Sequence, residues 1–443
     1  MGGVTAYLAH WIASRSDPAT PRARRAATHA VLDWTGVTLA GAGDPLVSLL
    51  ATDALADGGP GVHVAIGTDT RLTARDAARV NGAASHALDF DDINTRMRGH
   101  PTVAILPAVL AAGEAHTGAE VIEALIVGTE VACILGEMMG EAHYMRGFHM
   151  TATVGAVAAA AGVCRILNAD ADQTARALSL AATQASGLRA MFGTMAKPLH
   201  AGLAAERGLL AARWAVAGMT APTDGIESPQ GFGPVLSGTF KPLQIRPDPG
   251  ASFGIEENTF KRHAACYYTH SAIDAARGMR GAGHGPDRIS EITIGLQAGL
   301  HSVCDIVRPV SGLEVKFSIR HLVAMALLGR DTTDPNVYTD TLAADPDVIA
   351  LRDRTTVVPL ETANRMKTRV HIALASGETL EKTLDVSAPA QDLDLQEQAL
   401  TTKFIQLATP VLGGRVRMMA SAILSMDTST SMAPLLAGLI PEP

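Results

Sequence analysis

From residue 101 to about 220, apolar residues recur at helical spacing almost without a break. The segments are roughly 101–115, 119–139, 151–166, 172–187 and 198–218, separated by Gly, Asn and Asp turns. Several are apolar on nearly every side. That is the pattern of helices buried inside a large bundle, not of helices with one wet face. The chain is 47% hydrophobic but only 4% aromatic, so small side chains, above all Ala, must fill the helix crossings. Its longest apolar runs are interrupted by Gly, Glu or Thr within about eighteen residues, and no membrane span is expected.

The ends of the chain read differently. Residues 5–15 form a short amphipathic helix, and Thr20-Pro21 opens a longer one through Trp34 to about Leu39. Residues 41–75, Gly- and Asp-rich, read as a connector with little regular structure beyond a strand-like VHVAIG at 62–67. A helix near 71–85 follows. Past residue 250 the texture changes to a short helix at 271–280, a GAGHGPD turn and a strand EITIGLQ at 291–297. A helix over 317–329 and a hairpin over 368–386 about Ser376-Gly377 complete it. From about Leu393 the pattern is helical again. With 443 residues, the length allows about two to three domains. The expected fold is therefore mostly α. A large all-helical domain is built from 1–258 and 392–443, and a smaller α/β domain is inserted at 259–391.

Composition excludes several classes of function. The formal net charge is −8 with Lys and Arg scattered, so there is no basic face for nucleic acid. The four cysteines, Cys133, Cys164, Cys266 and Cys304, form no Cys-x-x-Cys pair, which argues against zinc and iron–sulfur frameworks. Reduced thiols, together with an N-terminus that lacks a basic start and an apolar core, suggest a cytoplasmic protein. The run GMRGAGHG at 278–285 superficially resembles a nucleotide loop but lies between a helix and a strand in the wrong order. There is no P-loop and no Gly-x-Ser-x-Gly.

Against a chain only 18% charged, residues 86–101, HALDFDDINTRMRGHP, stand out. They hold His86, Asp89, Asp91, Asp92, Arg96, Arg98 and His100, then enter an apolar helix at Pro101. Three further islands precede helices. HYMRGFHMTAT (143–153) carries His143, Tyr144, Arg146 and His149. FGTMAKPLHAG (192–202) carries Lys197 and His200. FKRHAACYYTHSAIDA (260–275) carries Lys261, Arg262, His263, Cys266, Tyr267, Tyr268 and His270. Free N–H groups at helix starts favour anions, so these islands suggest a pocket for carboxylates. Each residue also has a plainer reading, as a cap, a satisfied core group or a surface charge. His86 and Asp89 are spaced to bind a metal, but no third ligand lies near them in sequence, and no metal is expected.

The four islands, in this order, resemble the MmgE/PrpD family, which includes 2-methylcitrate dehydratase, cis-aconitate decarboxylase and iminodisuccinate epimerase. The resemblance covers nearly the whole chain. It is carried by VNGAASHALDFDD, GHPTVAILPAVLAAGE, GFHMTATVGA, KPLHAG, the KR…C…THSAIDA block and KFSI at 316–319. It implies a helical domain with an α/β lid, a homodimer, an active site in the cleft between the domains and no metal or organic cofactor. Family active-site positions fall on Asp89, His100, His149, Lys197 and Lys261. Three departures weaken a decarboxylase assignment: Ile93 stands where the dehydratases and the decarboxylase often have Thr, Cys266 where the decarboxylase has His, and His321 where many members have Tyr. MRGHP, HY-x-x-G-x-H and FGTM-x-KPLHAG resemble the epimerase, and Tyr144 fits that subgroup.

The chemistry so implied is removal of a proton beside a carboxylate of a small di- or tricarboxylate. The developing charge needs cations and N–H donors. Arg98, Lys197 and Lys261 are candidates to hold carboxylates, with His200, Cys266 and His321 as further binding residues. His100 and His149 are candidate bases, and Asp89 is expected to orient a histidine. One base and one acid give dehydration, the leading expectation. Two opposed bases, one of them Tyr144, give epimerisation. A binder that has lost turnover is the non-catalytic alternative.

Overall fold

The computed structural model describes residues 3–14, 19–113, 116–242, 252–281 and 285–441. Nine helices carry most of the first 220 residues: α1 Val4–Ser14, α2 Pro21–Gly41, α3 Pro45–Gly58, α4 Ala74–Ala87, α5 Pro101–Ala112, α6 Gly118–Met145, α7 Met150–Ile166, α8 Ala171–Gln184 and α9 Ala196–Val216. Their starts obey local chemistry. The side chains of Thr20, Asp44 and Thr73 accept backbone N–H groups of the first turns of α2, α3 and α4. Thr117 with Glu120, and Asp170 with Gln173, form reciprocal capping boxes. The α6 span breaks at Gly140, whose φ of 65° is left-handed.

α7 is the centre. Every one of its residues is buried, as the all-round apolar pattern requires, and it packs against α5, α6, α8 and α9. α4 crosses α9 at a glycine pair. A Cβ on Gly82 would lie 2.9 Å from the Gly202 Cα, and one on Gly202 would lie 2.2 Å from the Arg79 carbonyl oxygen. Only hydrogen at both positions lets the two backbones approach so closely.

The stretch 41–75 departs from expectation. It contains α3, opened by Asp44-Pro45 and held by a buried stripe of Leu46, Val47, Leu50 and Ala54. The sequence reading gave too much weight to the glycines at its end. The strand-like 62–67 contributes only β1, His63–Val64, paired with β2, Arg71–Leu72.

By their contacts, Met1–Phe260 and Pro389–Pro443 form one compact unit and Lys261–Ala388 another. The second unit contains a four-stranded sheet in the order β4-β3-β5-β6. β3 (Ile289–Leu296) runs parallel to β4 (Thr355–Pro359) and antiparallel to β5 (Lys367–Leu374). β5 turns through Gly377, φ 88°, into β6 (Thr379–Asp385). β4 was not anticipated. It is reached from β3 through helices at Ile319–Leu328 and Pro346–Arg352, as a parallel pairing demands. The expected GAGHGPD turn and the GMRGAGHG run both include 282–284, which lie outside the described residues. All four cysteines are buried and unbridged. Among the described residues no helix is long and apolar enough to cross a membrane.

Candidate active site

In the first unit the polar stretch folds back on the helix that precedes it. α4 ends with His86 in its last turn, and Asp89 follows in the left-handed region at φ 52°, its N–H bonded to the His86 carbonyl at 3.1 Å. Asp is among the few residues that tolerate this conformation. The reversal buries Phe90 and returns Asp91 to His86. Asn94 then pins the loop. Its Oδ1 accepts the Arg96 and Met97 N–H groups, and its Nδ2 donates to the Gly254 carbonyl and Asn258 Oδ1. His100 emerges at the N-cap of α5, its backbone N–H on Thr151 Oγ1. His149 is the N-cap of α7, and Lys197 and His200 lie in the opening turns of α9. Three helix N-termini thus present their functional side chains within one packed unit, which suits anionic groups.

Lys197 Nζ donates to Asp89 Oδ1 at 2.6 Å, and both side chains are buried. Asp91 lies between two imidazoles. His86 Nδ1 is 2.9 Å from its Oδ1, and His100 Nδ1 is 2.8 Å from its Oδ2. The His100 N–H is aimed at the Asp92 carbonyl, 2.9 Å away, so the Oδ2 approach is electrostatic, not a directed hydrogen bond. Carboxylate and carbonyl oxygens only accept. A proton therefore sits on the Nδ1 of each ring, and in His86, neutral at pH 7, Nε2 carries a lone pair. The His86 and His100 rings are 4.6 Å apart. Buried His86 Nε2 has no hydrogen-bond partner among the described residues. His149 Nδ1 lies 3.1 Å from His200 Nδ1. Its ring meets Phe192 edge-on at 5.0 Å and stacks over His86 at 6.1 Å.

Burial dominates the titration of this cluster. It pushes His86 down to about 4, with Asp91 opposing the shift, and holds His149 well below the ordinary imidazole range, where Lys197 adds to the effect. His200 is pushed to about 4 by burial, then by Arg207 and Lys197. Burial would raise Asp91, but the two imidazoles outweigh it and keep the carboxylate well below its usual range. Next to it, burial raises Asp92 to about 8 despite the hydrogen bond from Thr102. At pH 7 the lowered His86, His149 and His200 are neutral and Asp91 is ionised.

Two expectations gain detail from the structure. Asp89 accepts the Lys197 ammonium, and Asp91 accepts from His86 Nδ1. The metal argument, which rested on the lack of a third ligand, also changes. His86, Asp89, Asp91 and His100 each offer a ligand atom, and these atoms lie within 4.8 Å of one another. A cation there would have to displace the Lys197 ammonium from Asp89 and the His86 N–H from Asp91. His86 Nε2 and Asp91 Oδ2 make no hydrogen bond among the described residues, so these side chains could hold a cation as well as pass protons; the Lys197 ammonium bonded to Asp89 is the feature that opposes a cation there.

Five further residues were expected at the site. Arg98, left-handed at φ 58°, is exposed and donates to the Gly136 carbonyl at 3.3 Å. Tyr144 is buried in the core of the first unit with the Arg189 guanidinium 3.9 Å above its ring. Lys261, Cys266 and His321 belong to the second unit and are buried there. The Cys266 N–H bonds to the Lys316 carbonyl. His321 Nε2 donates to the Leu342 carbonyl at 3.2 Å, and burial takes this imidazole to about 4. Sequence reasoning gave His86 and Asp91 no catalytic part. The available signal was their spacing across the end of α4, which brings the loop back beside the helix's last turn.

Comparison with known proteins matches the MmgE/PrpD N-terminal domain over residues 6–244 and the MmgE/PrpD C-terminal domain over 263–428. A cis-aconitate decarboxylase of Aspergillus terreus is 26% identical over 476 aligned residues, covering 98% of this chain and 95% of that protein. The cis-aconitate decarboxylase of Homo sapiens is 28% identical over 392, covering 84% and 78%. A cis-aconitate decarboxylase-like protein of Aspergillus oryzae is 27% identical over 481, covering 98% and 97%. Two domain matches that together span most of the chain, around a cluster of histidines, paired carboxylates and a buried lysine, place this protein in the MmgE/PrpD family.

Proposed function

We propose that the protein is a cofactor-independent lyase that removes a proton alpha to a carboxylate of a small di- or tricarboxylate, with loss of a β-hydroxyl as the net reaction. The observation that carries this reading is the cluster in which Asp91 Oδ1 holds His86 Nδ1, the Asp92 carbonyl holds His100 Nδ1, and a buried lysine ammonium stands on Asp89. His100 and His149 serve as the proton-transferring pair. Lys197, held by Asp89, stabilises charge as it develops on the substrate carboxylate. The helix starts at His100, His149 and Lys197 supply N–H dipoles for the remaining carboxylates. Relatives named as acting on cis-aconitate, itself a tricarboxylate, support the substrate class. Cys266 departs from the decarboxylase pattern and weakens decarboxylation, while Ile93 and His321 depart from other members too and are the features that would favour a carboxylate binder without turnover.

Epimerisation of an iminodisuccinate-like dicarboxylate is the second reading, favoured by Tyr144 within HY-x-x-G-x-H. By family resemblance the Lys261–Ala388 unit acts as a lid and brings Lys261 to the substrate. Hydrogen exchange with and without a bound polycarboxylate tests the lid; no change in protection near 260–270 removes it. Proton NMR in D2O with citrate, 2-methylcitrate and the malate enantiomers tests the reaction. Exchange of one alpha proton with formation of an alkene supports dehydration. Exchange with inversion and no alkene moves the assignment to epimerase, and no exchange with any substrate removes both.

A further inference from the structure

His149 and His200 face each other through like atoms, Nδ1 to Nδ1 at 3.1 Å, with ring centroids 5.3 Å apart. That contact is only satisfied one way at a time. Two Nδ1 lone pairs repel, and two Nδ1 protons do not fit in 3.1 Å. One proton must lie between the rings, on one nitrogen or the other. The backbone holds the pair in place. The His149 N–H bonds to the Gly187 carbonyl at 3.0 Å. A side chain on Gly187 would strike Ala152, 2.4 Å away, and crowd the His200 ring at 3.4 Å. His149 is 3% exposed and His200 8%. Beyond His200, two turns along the same face of α9, Arg207 donates to exposed Ser186 Oγ at 2.8 Å.

We propose that His149 and His200 form a proton relay, in which the single proton between their Nδ1 atoms decides whether His149 presents a basic or an acidic Nε2 to the substrate. The proposal rests on the proton-transfer reading above and adds His200 as the group through which His149 exchanges protons with solvent. With the shared proton on His149, its Nε2 has a lone pair. Breaking the substrate C–H bond puts that proton on His149 Nε2, and the bonding pair stays on the substrate. The Nδ1 proton then passes to His200 Nδ1, and His200 releases its own Nε2 proton outward. Both rings are again neutral, but His149 now carries Nε2–H and is an acid. Protonation of a leaving hydroxide or of the carbanion, with a proton entering at His200, runs the relay back. The groups charged or titratable around the pair are Lys197, Arg207, His86 and His100; the cations disfavour a resting imidazolium on either ring.

The test uses the full chain labelled with 15N-histidine, and two variants. Spectra of the unliganded protein at pH 7 should show one protonated and one unprotonated Nδ1 coupled across the hydrogen bond. His200→Asn replaces the titrating ring with an amide that can bond His149 Nδ1 through its oxygen or its NH2 but cannot pass a proton onward, so His149 cannot be reset through this position. Deuterium exchange into the substrate found active above should then fall by at least about 10²-fold, with KM unchanged and circular dichroism native. His200→Gln, which cannot reach Nδ1 in the same way, should lose exchange similarly and guards against a folding defect in the Asn variant. Spectra in which neither Nδ1 is protonated would overturn the relay. So would folded variants that keep the wild-type exchange rate, or that lose only affinity. If the wild type exchanges no proton with citrate, 2-methylcitrate or malate, the functional reading fails, while the nitrogen spectra still decide the shared proton.

Discussion

Asp91 places its carboxylate between His86 and His100, with Oδ1 accepting from the His86 Nδ1 at 2.9 Å and Oδ2 2.8 Å from the His100 Nδ1. Asp91→Asn keeps the shape and removes the charge. An amide NH2 turned toward either ring forces a tautomer change, and a proton arriving on His100 loses its counter-charge. Turnover should fall by about 10²- to 10⁴-fold, the usual worth of positioned acid–base catalysis, with KM little changed. Steady-state kinetics on a variant with native circular dichroism checks this; turnover within a few-fold of wild type would take Asp91 out of the mechanism.

Lys197 and Asp89 form a buried pair at 2.6 Å. Removing either partner strands the other charge and should cost about 3–5 kcal/mol. Lys197→Met and Asp89→Asn should each lower the urea midpoint, and the double variant should regain part of the loss. None of the three should turn over, because the cation at the developing carboxylate charge is gone or misplaced. A fully additive double variant would show that the pair is not coupled.

Tyr144→Phe separates the two reactions. The ring stays beneath Arg189, so packing should survive. In a dehydratase the change should leave turnover within error. In an epimerase it should stop inversion while sparing alpha-proton exchange from one enantiomer, as chiral chromatography and NMR in D2O would show.

Stability should fall on the acid side of neutrality. His86 is buried neutral, its folded pKa about 4 against an ordinary 6.5. Its contribution is fully present above pH 6.5 and is lost as pH falls from there toward 4, to the extent of about 3 kcal/mol. His149 and His200 act with the same sign. Asp92 has the opposite sign. Raised to about 8, its neutral form favours the fold below pH 4, and that benefit is lost as pH climbs through 8. Urea titrations from pH 4 to 9 should give a maximum near neutrality, and Asp92→Asn should flatten the alkaline limb. A profile level from pH 7 to 4.5 would contradict the neutral buried histidines.

The ligand atoms of His86, Asp89, Asp91 and His100 are close enough to invite a cation, so the cofactor-independent reading has a direct check. Dialysis against EDTA should leave activity intact. Loss of activity that a divalent ion restores would replace the proton-transfer network with a metal centre.

The helices of the bundle were legible because the sequence states them locally. Thr20-Pro21, Thr117 with Glu120, and Asp170 with Gln173 mark starts, and the all-round apolar face of 150–166 marks the buried centre. The hairpin about Gly377 was visible for the same reason. α3 was not, since its Asp44-Pro45 start is followed by a narrow apolar stripe and a glycine-rich end. β4 was not either, because five residues pairing in parallel with a strand some sixty positions earlier leave no local trace.

At the site, the sequence by itself determined which residue types were present and that His100, His149 and Lys197 would stand at helix starts, because capping and proline placement are set by near neighbours. Only the tertiary structure decided the partnerships. Asp89 and Asp91 are two residues apart and chemically alike. Which carboxylate meets the lysine and which the imidazoles depends on the left-handed turn at Asp89 and on the Gly82–Gly202 approach of α4 and α9. That approach brings Lys197 to Asp89 across 108 positions of chain. Hydrogen bonds act over about 3 Å, so two carboxylates that differ only in direction acquire different roles only once the backbone has folded.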